Sequence, residues 1–326
     1  MIVSASRRTD IPRFHVPWLL HRLREGFAYV RNPVVRDRVS RVPLTPGAVD
    51  CIAFWTKDPA PLILHLDELA PHPYFVQFTL NAYGQDIERG LPRKARLIET
   101  FRALAQAAGP ERVVWRYSPI LLGGRYTVGH HLHYFDAFAR ALEGATDTCR
   151  ISFLEVYPKI APRMTALGLS DVPEQQKGPL ARRLASIGAA HGIAVSGCGN
   201  LDPEACGFPR TGCIDRALVE RACGRKLART AAPGQRTGCS CLPSVDIGTY
   251  DTCANGCVYC YANRAAEQEG RMAGSEEDAL TELPVPAGLR RSDEAPLLCD
   301  RIRPGDTVTD HPAVLLATDQ LALFPA

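Results

Sequence analysis

Strand and helix signals alternate along the first two thirds of the chain, and this rhythm restricts the fold more than any other feature. Short apolar runs at Ile2–Ser6, Cys51–Thr56, Tyr74–Leu80, Arg112–Tyr117, Arg150–Val156 and Ile193–Ser196 read as strands. Helical segments fall between them, at Val16–Glu25, Leu62–Leu69, Pro92–Ala108, Val128–Leu142 and Glu174–His191. The clearest is Pro92–Ala108, where Leu97, Ile98, Phe101, Leu104, Ala105 and Ala108 recur at spacings of three and four. Pro92 suits its first turn and Gly109 its end. Such a succession predicts an α/β protein with a parallel sheet, open or closed into a (β/α) barrel of the TIM type. In these folds the functional groups sit on the loops after the C-terminal ends of the strands.

Those exits are polar here. The first strand leads into Arg7, Arg8, Thr9 and Asp10, and the second into Lys57 and Asp58. The third carries Gln77, Thr79 and Asn81, and the fourth Arg116, Tyr117 and Ser118. The fifth offers Ser152, Glu155, Tyr157 and Lys159. Paired arginines at a strand exit suit a phosphate or carboxylate, because the guanidinium fork matches either. His130, His131 and His133, at the start of a helix, read as ordinary surface residues.

The texture changes after residue 197. We expect a barrel core over 1–197, a cysteine-rich segment over 198–264 that completes the barrel, and a C-terminal extension over 265–326. Within these, 225–238 reads as a basic loop, Ser244–Gly248 as one more strand, 261–270 as a short helix and 271–296 as flexible chain. One or two short strands are expected in Asp306–Phe324.

Beyond the added strand lie Cys253, Cys257 and Cys260, at C-x3-C-x2-C spacing with Asn255-Gly256 as the turn. Three thiolates on one short loop can hold three irons of a cubane [4Fe-4S] cluster and leave the fourth iron open to a small molecule. Tyr259, just before the last cysteine, would set a ring edge beside that iron, where a nucleobase can pack. Zinc is the competing ligand, with Cys239 and Cys241 closing its shell. Cys198, Cys213, Cys239 and Cys241 form a second candidate ligand set, with Cys206 and Cys223 in competition. Cys51, inside an apolar strand, reads as a small core residue, and Cys149 and Cys299 as inert.

Twelve cysteines in a chain without a secretory n-region and apolar run favour a reducing, cytoplasmic setting and metal ligation over disulfides. No stretch approaches the ~20 apolar residues of a membrane span. The net charge of +3 gives a nucleic-acid partner little support.

The cysteine loop resembles that of radical S-adenosylmethionine enzymes, and more distantly that of the spore photoproduct lyase group. Five segments carry a broader resemblance: Ser4–Pro12, Phe54–Pro61, Gln77–Leu80, Trp115–Leu121 and Asp246–Asn263. Across residues 2–264 the chain resembles the family numbered 1848 among the domains of unknown function. The family pattern carries Asn and Asp where this chain has Asp58 and Ser118.

The resemblance implies a circularly permuted radical S-adenosylmethionine barrel, because the cysteine loop of such enzymes ordinarily follows the first strand. It also implies that Cys198, Cys213, Cys239 and Cys241 belong together, as ligands of an auxiliary cluster. S-adenosyl-L-methionine would bind the open iron, with Tyr259 and Glu155 as its neighbours. Arg7, Arg8, Asp10, Lys57, Arg116 and Tyr117 would line the mouth and hold a small-molecule or peptide substrate or the cofactor carboxylate. A flavodoxin or ferredoxin would donate electrons. The alternative is a zinc- or iron–sulfur-stabilised binding or electron-relay protein without radical chemistry.

Overall fold

The structure, a computed structural model, describes residues 1–199, 201–208, 211–228, 239–263 and 293–317. Most of the expected helix over 261–270, the flexible chain over 271–296 and the loop over 225–238 lie outside the described residues, as does 318–326. The strands, in chain order, are β1 (Ile2–Ala5), β2 (Phe27–Arg31), β3 (Arg38–Pro43), β4 (Cys51–Thr56), β5 (Tyr74–Thr79), β6 (Val113–Ile120), β7 (Thr148–Phe153), β8 (Ala194–Gly197), β9 (Ser244–Asp246) and β10 (Thr307–Asp310).

Seven of them form one sheet in the order β8-β7-β6-β5-β4-β1-β9. Every neighbouring pair is parallel. The sheet thus follows chain order from β1 to β8, except that the last-formed strand, β9, lies outside the first. Its register sets Ile2 opposite Ser244 and Ser4 opposite Asp246. With β8 and β9 at its two ends, the sheet is that of a partial α/β barrel.

The helices follow the periodicity, with local differences. Lys94–Ala108 buries Leu97, Phe101, Leu104 and Ala105. Val16–Glu25 ends at Gly26, whose φ of 78° is a left-handed cap that suits glycine. The expected helix over Leu62–Leu69 is two short pieces, Ala60–Ile63 and a 3-10 turn at Leu66–Leu69. A second sheet is ordered β10-β3-β2; β10 falls in Asp306–Phe324, where a strand is expected, whereas β2 and β3 have no counterpart in the sequence reading. Its β2 and β3 form an antiparallel hairpin in which only Val39 and Val42 of β3 are fully buried. Arg31 ties it to the C-terminal segment through Asp300 at 2.5 Å and Asp306 at 2.7 Å. A strand so rich in arginine carries no apolar pattern to find.

Alternation along the strands decides what the site receives. Phe54, Val76, Phe78, Trp115 and Tyr117 face the helices and join the main core. Ala53, Trp55, Phe75 and Val114 face the other way, toward Cys213, Ile214, Leu218 and Val219. Arg116 shares the inner face, since it lies two residues beyond Val114.

Tyr117 therefore does not line the mouth, contrary to expectation. Its ring is buried against Phe135, with centroids 5.0 Å apart, and its hydroxyl meets His131 Nδ1 at 2.7 Å. His131 is no surface residue either: it is fully buried, with Nε2 2.8 Å from the Leu121 carbonyl. A carbonyl can only accept, so Nε2 carries the proton and Nδ1 accepts from Tyr117. No described helix is long and apolar enough to cross a membrane.

Burial pushes the His131 pKa from 6.5 down to about 4. Between those values the unfolded chain binds the extra proton, so stability present above pH 6.5 is lost as the pH falls toward 4. This one residue accounts for a loss of up to roughly 3 kcal/mol. Urea unfolding across that range should show the slope in the parent chain and a flatter one in His131→Gln. Equal slopes would remove His131 as the cause.

Candidate functional site

The exits of β1, β4, β5, β6, β7 and β8 open onto a cavity of about 520 Å³. It is lined by Arg7, Arg8, Asp10, Lys57, Arg116 and Glu155, by Tyr259, and by all seven cysteines of the two candidate sets. Of the residues expected to line the mouth, bind the cofactor or ligate a cluster, only Tyr117 is absent from it. The competing cysteines also fall elsewhere: Cys206 is buried in the helix-side core, and Cys223 packs at the edge of the cluster that contains Cys51.

The loop with Cys253, Cys257 and Cys260 is held from both sides. On one side Asp10 caps the helix Ile11–Phe14 by accepting from Arg13 N at 3.2 Å. It also accepts from Asn255 Nδ2 at 2.9 Å and from Lys57 N at 2.8 Å. Arg13 completes this contact by donating to Asn255 Oδ1, and pairs with Asp58 at 3.5 Å. Asp10 is thus tied to scaffold groups, and its burial raises its pKa.

On the other side, backbone bonds join the loop to residues 87–90. Val258 N donates to Ile87 O at 3.0 Å, and Gly90 N to Asn255 O at 3.0 Å. Between them sits Glu88, which is 1% exposed. Its carboxylate accepts from Lys57 Nζ at 2.7 Å, Lys94 Nζ at 2.6 Å, Asn81 Nδ2 at 3.2 Å and the Tyr259 hydroxyl. Lys57 Nζ also donates to the Tyr259 hydroxyl at 2.8 Å. Two ammonium groups outweigh desolvation and hold the Glu88 pKa at about 2. The charge of Lys57 is therefore matched inside the scaffold, although its side chain lines the cavity.

The second cysteine set comes from three segments. Cys213 Sγ lies 3.1 Å from Cys198 Sγ, and Cys213 N donates to Cys241 Sγ at 3.2 Å. Gly212 makes this approach possible: a Cβ there would lie 2.6 Å from Ser240 O and 2.7 Å from Cys241 Cα. The cysteines are all free, with no disulfide among the described residues.

Burial raises the pKa of Cys253 to about 12 and pushes those of Cys257 and Cys260 up as well. Raised thiol pKa values favour the protonated form of the thiols. Such thiols ionise when a cation displaces the proton. Among the described residues no three His, Cys, Asp or Glu side chains are gathered as the ligands of a single metal ion. A cubane sets each thiolate on a different iron and spreads them wider than one ion does. The donor set fits such a cluster in chemical type, in number and in opening onto one cavity.

The remaining cations have defined neighbours. Arg8 donates to Gly248 O at 3.2 Å, lies 4.0 Å from Asp246 and stacks on Tyr250. Arg7 and Arg116 each lie 4.9 Å from the Trp55 ring. Glu155 accepts from the Tyr157 hydroxyl at 2.5 Å, whereas Lys159 pairs with Asp251 at 3.9 Å.

Sequence reasoning missed Glu88, Trp55 and Asp246 as site-building groups. Glu88 lies in a strand-exit loop and carries no other signal. Asp246 follows two residues of β9, and its carboxylate role depends on β1 lying beside it. Asn81, noted only as a polar exit, fixes the β6 exit by accepting from Ser118 N at 2.8 Å and donating to Ser118 O at 2.9 Å.

Fold and site together define an α/β protein with a parallel sheet and a cysteine-lined cavity at its strand ends. A family model described as Domain of unknown function (DUF1848) matches residues 2–262, and the chain belongs to that family. No curated protein and no solved structure matches it.

Glu88→Gln would leave two ammonium groups facing a neutral amide, at a cost of about 3–5 kcal/mol. The parent chain should lose this contribution as the pH falls from 4.5 toward 2, because the folded-state pKa is depressed. Denaturant unfolding reads the stability. Alkylation of Cys257 and Cys260 should quicken in the variant, and an unchanged alkylation rate would mean that Glu88 does not hold the loop.

Proposed function

We propose that this protein is a radical S-adenosylmethionine enzyme. The observation that carries this reading is the placement of the C-x3-C-x2-C loop. It follows β9, the strand that pairs with β1, and opens onto the cavity at the C-terminal strand ends. In this reading β9 stands where the first strand of an unpermuted barrel would be.

Cys253, Cys257 and Cys260 would hold a [4Fe-4S] cluster with one iron left for S-adenosylmethionine, and Cys198, Cys213, Cys239 and Cys241 an auxiliary cluster. Such a cluster supplies one electron for reductive cleavage of the sulfonium and so the means to abstract a substrate hydrogen. The chain's own residues do the rest. Asp10, Asn255, Glu88 and Lys57 anchor the loop that carries the three cysteines. Tyr259 is anchored through its hydroxyl, which leaves its ring as a fixed wall of the cavity. Strand ends together with Cys198, Gly212, Cys213 and Cys241 line the chamber and limit water around a reactive radical. The substrate is a small molecule or peptide that fits this chamber, and a flavodoxin or ferredoxin supplies the electron.

Anaerobic reconstitution tests the reading. The parent chain should bind iron and sulfide, and release 5′-deoxyadenosine when given S-adenosylmethionine and dithionite. Cys257→Ala should lose one cluster's worth of iron and bring deoxyadenosine to background. Zinc in place of iron, or unchanged iron and turnover in the variant, would refute it.

A further inference from the structure

The inner face of the sheet carries a cationic group that the radical mechanism does not use. Trp55 projects from β4 with its indole N–H on Ser4 Oγ at 3.0 Å, which fixes the ring. Two guanidiniums lie against that ring, those of Arg7 and Arg116, each at 4.9 Å. Contact with an indole face holds a guanidinium flat and limits its rotation.

Both line the cavity that holds the second cysteine set, and Arg116 reaches one of its thiols. Arg116 Nη2 lies 3.9 Å from Cys213 Sγ and donates to Ser118 Oγ at 3.3 Å. Cys213 in turn touches Cys198. Among the described residues Arg116 makes no carboxylate ion pair, and its buried Nε has no hydrogen-bond partner. Ser118 Oγ and the Cys213 thiol are the polar partners of its guanidinium. Arg7 lines the same cavity as Cys239 and Cys241.

A cation drawn partly out of water gains from a counter-charge, because desolvation disfavours it. Neutral thiols do not supply one. Four thiolates on a cubane do, since the oxidised cluster carries a net double negative charge and two guanidiniums match it. We propose that Trp55 holds Arg7 and Arg116 as a cationic clasp around the four-thiolate centre at Cys198, Cys213, Cys239 and Cys241, and that the clasp raises its reduction potential. This rests on the iron–sulfur reading of that set. Positive charge and N–H···S contacts stabilise the more negative, reduced state, so both act upward on the potential. The two arginines are positioning residues for this centre.

The test uses the full-length chain carrying Cys253→Ala, Cys257→Ala and Cys260→Ala, so that only the second centre reports. Its midpoint is read by EPR during titration with dithionite. Arg116→Gln should shift the reduction equilibrium about tenfold toward the oxidised form, about 59 mV lower for one electron. Arg116→Lys should fall between, and Arg7→Gln with Arg116→Gln should exceed either single change. The parent chain, titrated in parallel, controls for the triple background.

An intact second centre with the same midpoint in Arg116→Gln and Arg7→Gln would overturn the clasp and leave the cluster reading standing. A parent chain with iron for one cluster only would overturn both. If Arg116→Gln loses the second centre's iron while Arg116→Lys keeps it, the charge role is supported. Loss from both variants overturns it.

Discussion

Asp246 makes the junction on which the site depends. Its carboxylate accepts from Ser4 Oγ at 2.9 Å, Ser6 Oγ at 2.6 Å, Arg7 N at 2.8 Å and Gly248 N at 3.0 Å. Three of those donors come from the other end of the chain, about 240 positions away. β9 is only three residues long, so its backbone ladder alone is a weak attachment. The carboxylate adds charge-assisted bonds where the ladder ends. Gly248 shares the requirement, because any Cβ there would collide with Ser6. The same bonds fix the backbone of Arg7, and Arg8 follows. One short strand thus sets both the cysteine loop and the arginines at the mouth.

Glu88 does on the far side of the loop what Asp246 does on the near side. Both are acids that belong to the scaffold, although they stand next to the cavity. Their burial is tolerated because each accepts from several donors at once, and a half-satisfied network would be worse than an apolar one. The result is an unequal division of charge. The cation of Lys57 is matched by Glu88 and that of Arg8 faces Asp246, while Arg116 meets a hydroxyl, a thiol and an aromatic ring. That imbalance gives the cavity its chemical character. A polar frame surrounds thiols whose pKa values burial raises.

The parallel sheet and its polar exits were legible in the residues themselves. Strands such as Cys51–Thr56 and Tyr74–Thr79 are buried on both faces and read as unbroken apolar runs. The cysteine loop was legible because its spacing is local. Tyr117 was misread for an equally local reason. It follows Arg116 directly, and neighbours on a strand point to opposite faces. Applied at that position, the period of two would have sent it to the core, where His131 receives its hydroxyl. The β2–β3 hairpin was missed because arginines fill the exposed positions of β3 and only Ala28, Val39 and Val42 mark its buried side.

Local periodicity and spacing therefore determined the fold class, the cysteine loop and the end of the sheet at which the cavity opens, since each needs only residues a few positions apart. The tertiary structure alone decided that β9 lies beside β1, that Glu88 receives Lys57, Lys94 and Tyr259, and that Cys198, Cys213, Cys239 and Cys241 share one cavity with the loop. Those outcomes join segments far apart in the chain. They are settled by which carboxylates and cations must be paired once the strands pack, and that competition leaves no mark in the order of the residues.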